Sequence, residues 1–167
     1  MSYSDVIAVA LTGGCQCGAV RYRATERNDN AHLCHCRMCQ KAMGNYFAPL
    51  VSVRREALTW TRGTPARFQS SAEVERGFCA SCGTPLFHEV IGGTHISITL
   101  GSLDHPEMVP PIDRDGIQGE MPFFATLHAL PNTGVTGSDD PSWAAAIKAS
   151  SRQHPDRDTG HWPPASG

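Results

Sequence analysis

The chain has 167 residues, which fits one domain with a modest core. Hydrophobic residues make up 40% and charged residues 18%, and 14 Lys+Arg against 16 Asp+Glu leave a net charge of −2, so no basic surface for nucleic acid is built into the total. The 16 Gly and 12 Pro argue against a helical bundle, and seven cysteines, an odd number, argue against a complete set of intramolecular disulfides.

Met1 to Leu11 holds a short apolar run, Val6 to Leu11, without the basic flank of a secretion signal, and is expected to lead into a first strand. No stretch approaches the roughly 18 apolar residues of a membrane span. A reducing, cytoplasmic location with neither membrane nor nucleic-acid partners is expected, where clustered thiols bind metal more often than one another.

Val20, Tyr22 and Ala24 alternate with Arg21 and Arg23, which predicts a half-buried strand with both arginines on its polar face. Arg37 to Met43 predicts a short helix stopped by Gly44. Tyr46 to Val53 is rich in aromatic and β-branched residues, but Pro49 points to an edge strand or a bulge. Leu58 to Thr61 and Arg67 to Ser70 flank Gly63-Thr64-Pro65 and are expected to form a hairpin. Ile96, Ile98 and Leu100 alternate with Ser97 and Thr99 as a second half-buried strand, ended by Gly101. Asp140 and Pro141 suit the N-cap and first position of a helix running through Trp143 and Ile147. From residue 152 the chain turns polar and Pro-rich, which predicts a flexible tail over 152–167.

The cysteines fall into three groups: Cys15-x-Cys17, Cys34-x-Cys36-x-x-Cys39, and Cys79-x-x-Cys82 followed by Gly83. Such short spacings let one backbone turn aim two sulfurs at one ion, and zinc takes four tetrahedral ligands at ~2.3 Å. The pairs 15/17 and 79/82 then make a closed four-thiolate site that staples distant strands and contributes folding energy. The triplet offers three thiolates from one loop and leaves a fourth position for water, substrate or a histidine, the pattern of a catalytic zinc. Counting leaves other pairings open, and also a single four-thiolate zinc beside three idle cysteines. Thiols packed as small hydrophobes fit poorly with the tight grouping, and the spacings miss the usual ferredoxin runs.

Three blocks carry a family resemblance: Gly14-Cys15-Gln16-Cys17-Gly18-Ala19-Val20-Arg21-Tyr22, Cys34-His35-Cys36-Arg37-Met38-Cys39-Gln40-Lys41, and Phe78-Cys79-Ala80-Ser81-Cys82-Gly83-Thr84. In this order they resemble the glutathione-dependent formaldehyde-activating (GFA) enzymes, a family that includes centromere protein V. Weaker echoes at Gly101-Ser102-Leu103-Asp104, Pro122-Phe123-Phe124 and Leu130-Pro131 extend the match over residues 13–131. The resemblance implies an all-β, mainly antiparallel fold of the β-tent type, stapled by zinc, to which the capping signals above add a short helix after the triplet and a C-terminal helix. With the helix and tail read above, the expected organisation is a GFA-like zinc-binding β domain over 1–137, a helix over 138–151 and the flexible tail over 152–167. The resemblance assigns Cys15, Cys17, Cys79 and Cys82 to a structural zinc and Cys34, Cys36 and Cys39 to a catalytic zinc, two ions per chain. The chain departs from the family pattern at Ile112-Asp113-Arg114-Asp115 and at Phe123, where a His-Ile pair and a Trp often stand.

The implied reaction is that of a carbon–sulfur lyase, joining glutathione or a similar thiol to formaldehyde or another small carbonyl, as in S-(hydroxymethyl)glutathione synthase. Three thiolates on a dication leave a net −1, so Arg37 and Lys41 are candidates to balance the sulfur charge or hold a substrate carboxylate. His35, between two ligands, is a candidate to orient the loop. The alternative is a non-catalytic, zinc-stabilised binding module; the oligomeric state is left open.

Overall fold

A computed structural model describes residues 5–161; Met1 to Ser4 and the tail residues 162–167 lie outside the described residues. The described chain forms, in order, β1 (Val6–Gly14), β2 (Arg21–Asn28), β3 (His32–Cys34), α1 (Arg37–Met43), β4 (Ala48–Arg54), β5 (Leu58–Arg62), β6 (Ala66–Gln69), β7 (Val74–Phe78), β8 (Pro85–Val90), β9 (His95–Thr99), β10 (Asp113–Asp115) and α2 (Pro141–Ala149). Three strands make one sheet in the order β1-β2-β5, and seven make the other in the order β10-β3-β4-β9-β8-β7-β6. Neighbours run antiparallel except β10 and β3, which are parallel. The fold is thus mostly antiparallel sheet with few helices. No described helix is long and apolar enough to cross a membrane.

The core lies between the sheets. Strand alternation puts Val51, Val53, Phe87, Ile96 and Ile98 on one face of the larger sheet, where they meet Leu11, Tyr22 and Ala24 of the smaller one. Trp60 bridges the two, with ring centroids 5.7 Å from both Tyr22 and Phe87. Phe87 needs Gly77 opposite it on β7: a Cβ there would enter its ring.

Several expectations are corrected. The segments around Gly63-Thr64-Pro65 do not form a hairpin, because β5 joins β2 in the small sheet while β6 pairs with β7 in the large one. Three residues separate the strands, and the chain uses them to change sheets. Pro49 lies in an interior strand, not at an edge; the ladder from β4 to β9 begins only at Leu50, so Pro49 is flanked by β3 alone. β9 is buried on both faces, with Ser97 and Thr99 as enclosed as Ile96 and Ile98. Ser97 Oγ lies 3.1 Å from Ser52 Oγ, and Thr99 Oγ1 donates to the Pro85 carbonyl at 2.9 Å, which satisfies these polar atoms inside the sheet layer.

The helices form where expected. The Cys36 side chain caps α1 by accepting the Cys39 N–H, and Gly44 ends it in the left-handed conformation. Asp140 caps α2, accepting the Trp143 N–H at 3.0 Å. Residues 151–161 have no helix or strand, yet part of this stretch is anchored. His154 is buried and its N–H donates to the Gln16 carbonyl at 2.7 Å; Thr159 accepts from Arg62.

Arg21 corrects the reading of β2 most sharply. Arg23 is exposed, but Arg21 is 3% exposed and grips Asp104 through two nitrogens at 2.8 and 2.6 Å. Asp158 adds a contact at 2.7 Å, and Thr12 Oγ1 donates to Asp104 at 2.6 Å. Burial opposes ionisation of Asp104, but Arg21 and Thr12 outweigh it and hold the carboxyl below its ordinary value. The stabilisation is therefore present above the ordinary carboxylate range and is lost as pH falls through the lowered folded-state value. Asp104→Asn, which leaves Arg21 buried without its main partner, is expected to cost about 3–5 kcal/mol in urea unfolding. That variant should also lose less of its remaining stability on acidification than the parent.

Candidate metal centres

The first cysteine cluster is built from two tight turns. Between β1 and β2 the Gly18 N–H donates to the Cys15 carbonyl at 3.0 Å, and between β7 and β8 the Gly83 N–H donates to Cys79 at 2.8 Å. The Gln16 N–H donates to Thr84 Oγ1 at 3.0 Å and links the turns across the two sheets. Cys15, Cys17, Cys79 and Cys82 thereby converge, with all four sulfurs within 4.8 Å of one another. The Cys15–Cys17 and Cys17–Cys79 sulfur distances are 3.6 and 3.8 Å. Four sulfurs placed ~2.3 Å from a tetrahedral ion lie ~3.8 Å apart. The spacing fits such an ion with little adjustment.

Polar groups already favour thiolate here. The Val20 N–H donates to Cys15 Sγ at 3.2 Å, and Thr84 Oγ1 lies 3.1 Å from Cys82 Sγ. Against burial, Thr84 and neighbouring donors bring the Cys82 thiol down to about 6, whereas burial pushes Cys15 up to about 12 and raises Cys17 as well. Charge is thus favoured at Cys82 and resisted at Cys15 and Cys17.

The second cluster joins Cys34 at the end of β3, Cys36 at the N-cap of α1 and Cys39 in its first turn, again with sulfurs within 4.8 Å. Residues 115–120 clamp this loop from outside. The His35 N–H donates to the Asp115 carbonyl at 2.8 Å, and buried Gln40 donates through Nε2 to the carbonyls of His35 at 2.9 Å and Gly119 at 2.7 Å. Gly116, at φ +62°, packs so closely that a Cβ there would lie 2.6 Å from the Cys36 nitrogen. His35 is fully buried, with Phe124 edge-on at 4.5 Å and Glu120 at 3.6 Å from Nε2.

The third component is Arg76 of β7, whose NH2 group donates to Cys39 Sγ at 3.6 Å. Hydrogen bonding from Cys34, then from Arg76 and Cys36, pulls the Cys39 thiol down to about 5 despite burial. Cys34 moves up, first because its own proton is held by Cys39 and then through burial. Soft sulfur donors on a short loop suit a thiophilic cation. The donor sets differ in that four sulfurs close a tetrahedron and three leave one position free.

The seven cysteines thus come together as four and three. Arg37 and Lys41 do not join the triplet. Both are exposed and line a separate cavity of about 550 Å³ with Gln40, Tyr46 and Met121, which no cysteine borders. Helical rotation turns them away from Cys39. Arg76, Gln40 and Gly116 escape sequence reading because no spacing ties them to the triplet. Arg76 lies three residues before Cys79 yet serves Cys39.

Fold and clusters together define a two-sheet β protein with paired thiol clusters suited to metal. The family model described as glutathione-dependent formaldehyde-activating enzyme matches residues 10–115, more than half the chain, and the chain belongs to that family. An uncharacterized lyase from Schizosaccharomyces pombe is 26% identical over 81 residues, 48% of this chain and 58% of that protein, so the chain matches little more than half of its relative's length. A crystal structure of a Rhodobacter sphaeroides protein matches with a TM-score of 0.52 at 22% identity, covering 62% of this chain and 98% of that one, a likeness of fold.

Gly116→Val tests the clamp without touching a thiol. Metal analysis of the zinc-reconstituted variant should show loss of about one ion per chain, with the four-cysteine cluster still loaded.

Proposed function

We propose that the protein is a zinc-dependent carbon–sulfur lyase resembling S-(hydroxymethyl)glutathione synthase. In this reading it joins a thiol such as glutathione to formaldehyde or another small carbonyl. The observation that carries the reading is the three-sulfur cluster of Cys34, Cys36 and Cys39, set apart from a complete four-sulfur cluster. Family membership and a relative named as a lyase support the reaction class.

Cys15, Cys17, Cys79 and Cys82 would hold a structural zinc that staples the sheets, as a β-tent requires, and Cys34, Cys36 and Cys39 a catalytic zinc. Bound at the triplet, the ion supplies positive charge that favours the thiolate form of a thiol partner and polarises a carbonyl. The chain supplies the rest. Gln40 and Gly116 keep the loop in place, so the three sulfurs need no reorganisation when substrate arrives. Arg76 offsets the negative charge of the sulfurs. Arg37 and Lys41 enter as contacts for the far end of a long, doubly carboxylated thiol such as glutathione, from a cavity of their own. In the addition the thiol gives its proton to water, its sulfur bonds to the carbonyl carbon as the C=O π pair moves to oxygen, and that oxygen takes a proton back from water. Residues 1–137 form the working domain in this scheme, with the helix at 138–151 and the segment 152–167 outside the reaction, and the setting is cytoplasmic.

Metal analysis should find about two zinc ions per chain and about one in Cys36→Ser. NMR exchange spectroscopy of glutathione with formaldehyde should show faster interconversion with the parent protein than with Cys36→Ser. Two ions bound with no acceleration over buffer would sink the lyase reading and leave a zinc-stabilised binding module.

A further inference from the structure

A cavity of about 260 Å³, bordered by no cysteine but joined to the triplet through Arg76, is walled by Ala42 and Met43 of α1, Phe68 of β6, and Phe78, Pro85 and Phe87. Its surroundings are apolar apart from Arg76, which lines it and also reaches Cys39 Sγ at 3.6 Å. Arg76 is 8% exposed, and its Nε and NH1 atoms have no hydrogen-bond partner among the described residues. No carboxylate of the described residues forms an ion pair with it. A buried guanidinium without a counter-carboxylate is costly. Beside neutral His88 on the next strand, what faces it is a sulfur cluster on one side and an apolar cavity on the other.

We propose that this cavity is the subsite for the carbonyl partner, and that the partner carries an apolar aromatic or branched aliphatic group; the assignment rests on the lyase reading above. Formaldehyde, a single carbon and oxygen, leaves such a space almost empty, whereas ~150 Å³ already holds a benzene ring. The walls favour a substituent that leaves water on binding. The carbonyl group lies at the Arg76 end, the side on which the guanidinium reaches Cys39. When the thiolate sulfur bonds to the carbonyl carbon, the π electron pair moves to oxygen, which then takes a proton from water. Arg76 faces the charge that develops on that oxygen, so its contribution is greatest in the transition state.

Benzyl alcohol, an unreactive analogue, reads the cavity without any reaction. Saturation-transfer NMR on the zinc-loaded full chain should show transfer to its ring protons. Binding should weaken about tenfold in Phe68→Ala; Phe68 is 62% exposed on the edge strand β6, so its truncation leaves the core in place. The kcat/KM ratio of benzaldehyde to formaldehyde should fall by a similar factor in the same variant. Arg76→Met should lower kcat, with partial recovery in Arg76→Lys, while both keep two ions. Loss of the triplet ion from Arg76→Met assigns Arg76 to metal retention and overturns its role at the oxygen. Absent transfer, or equal transfer in parent and Phe68→Ala, overturns the cavity assignment while formaldehyde turnover upholds the lyase reading. Phe68-dependent binding with no thiol–carbonyl turnover overturns the lyase reading and the carbonyl assignment with it, leaving an apolar-ligand site.

Discussion

Sulfurs held within 4.8 Å of one another in groups of four and three set the terms for the rest of the molecule. Two thiolates ~4 Å apart repel by about 4 kcal/mol at an effective dielectric of 20. Within the protein, hydrogen-bond donors bring down Cys39 in one group and Cys82 in the other, while Cys34 and Cys15 resist. A shared cation replaces that repulsion with attraction at every sulfur. Because the first group spans the β1–β2 and β7–β8 turns, a cation there would couple its own binding to the packing of one sheet on the other.

The large sheet supports this arrangement because its central strands β4 and β9 are buried on both faces. The face toward the small sheet is apolar and closes the core. On the other face, cross-strand register aligns Ser52, Ser97, His88 and Arg76 across four strands toward the triplet. Burial, then the charges of Arg76 and His32, lowers His88 to about 4, so it is neutral near pH 7. Arg76 is the permanent cation in that row, and it meets the sulfur cluster directly. A polar row inside a sheet layer is tolerable where hydroxyls find partners, as Ser52 and Ser97 do. Where it ends in an unpaired guanidinium, an anionic neighbour is called for.

Local signals in the chain were read well where they act within a few residues. The C-x-x-C turn with its glycine, the cap at Asp140 and the stop at Gly44 each depend on backbone geometry over one turn, and each stands in the structure. Signals that depend on a partner far along the chain were misread. Arg21 has the alternation of a solvated residue but lies against Asp104, 83 positions away, and the Gly63-Thr64-Pro65 turn has hairpin composition but joins strands of different sheets. Pro49 warned of an edge, yet a ladder that starts one residue later accommodates it inside the sheet.

The sequence by itself determined the grouping of the thiols, because ligand spacing within a turn is a covalent constraint that no tertiary contact can relax. It also carried the motif order that places the chain in its family. Only the tertiary structure decided which turns meet, that Arg76 rather than Arg37 or Lys41 faces the triplet, and that an apolar cavity adjoins Arg76. Those outcomes depend on strand register and helix rotation, which place residues by their neighbours in space and leave no trace in their spacing along the chain.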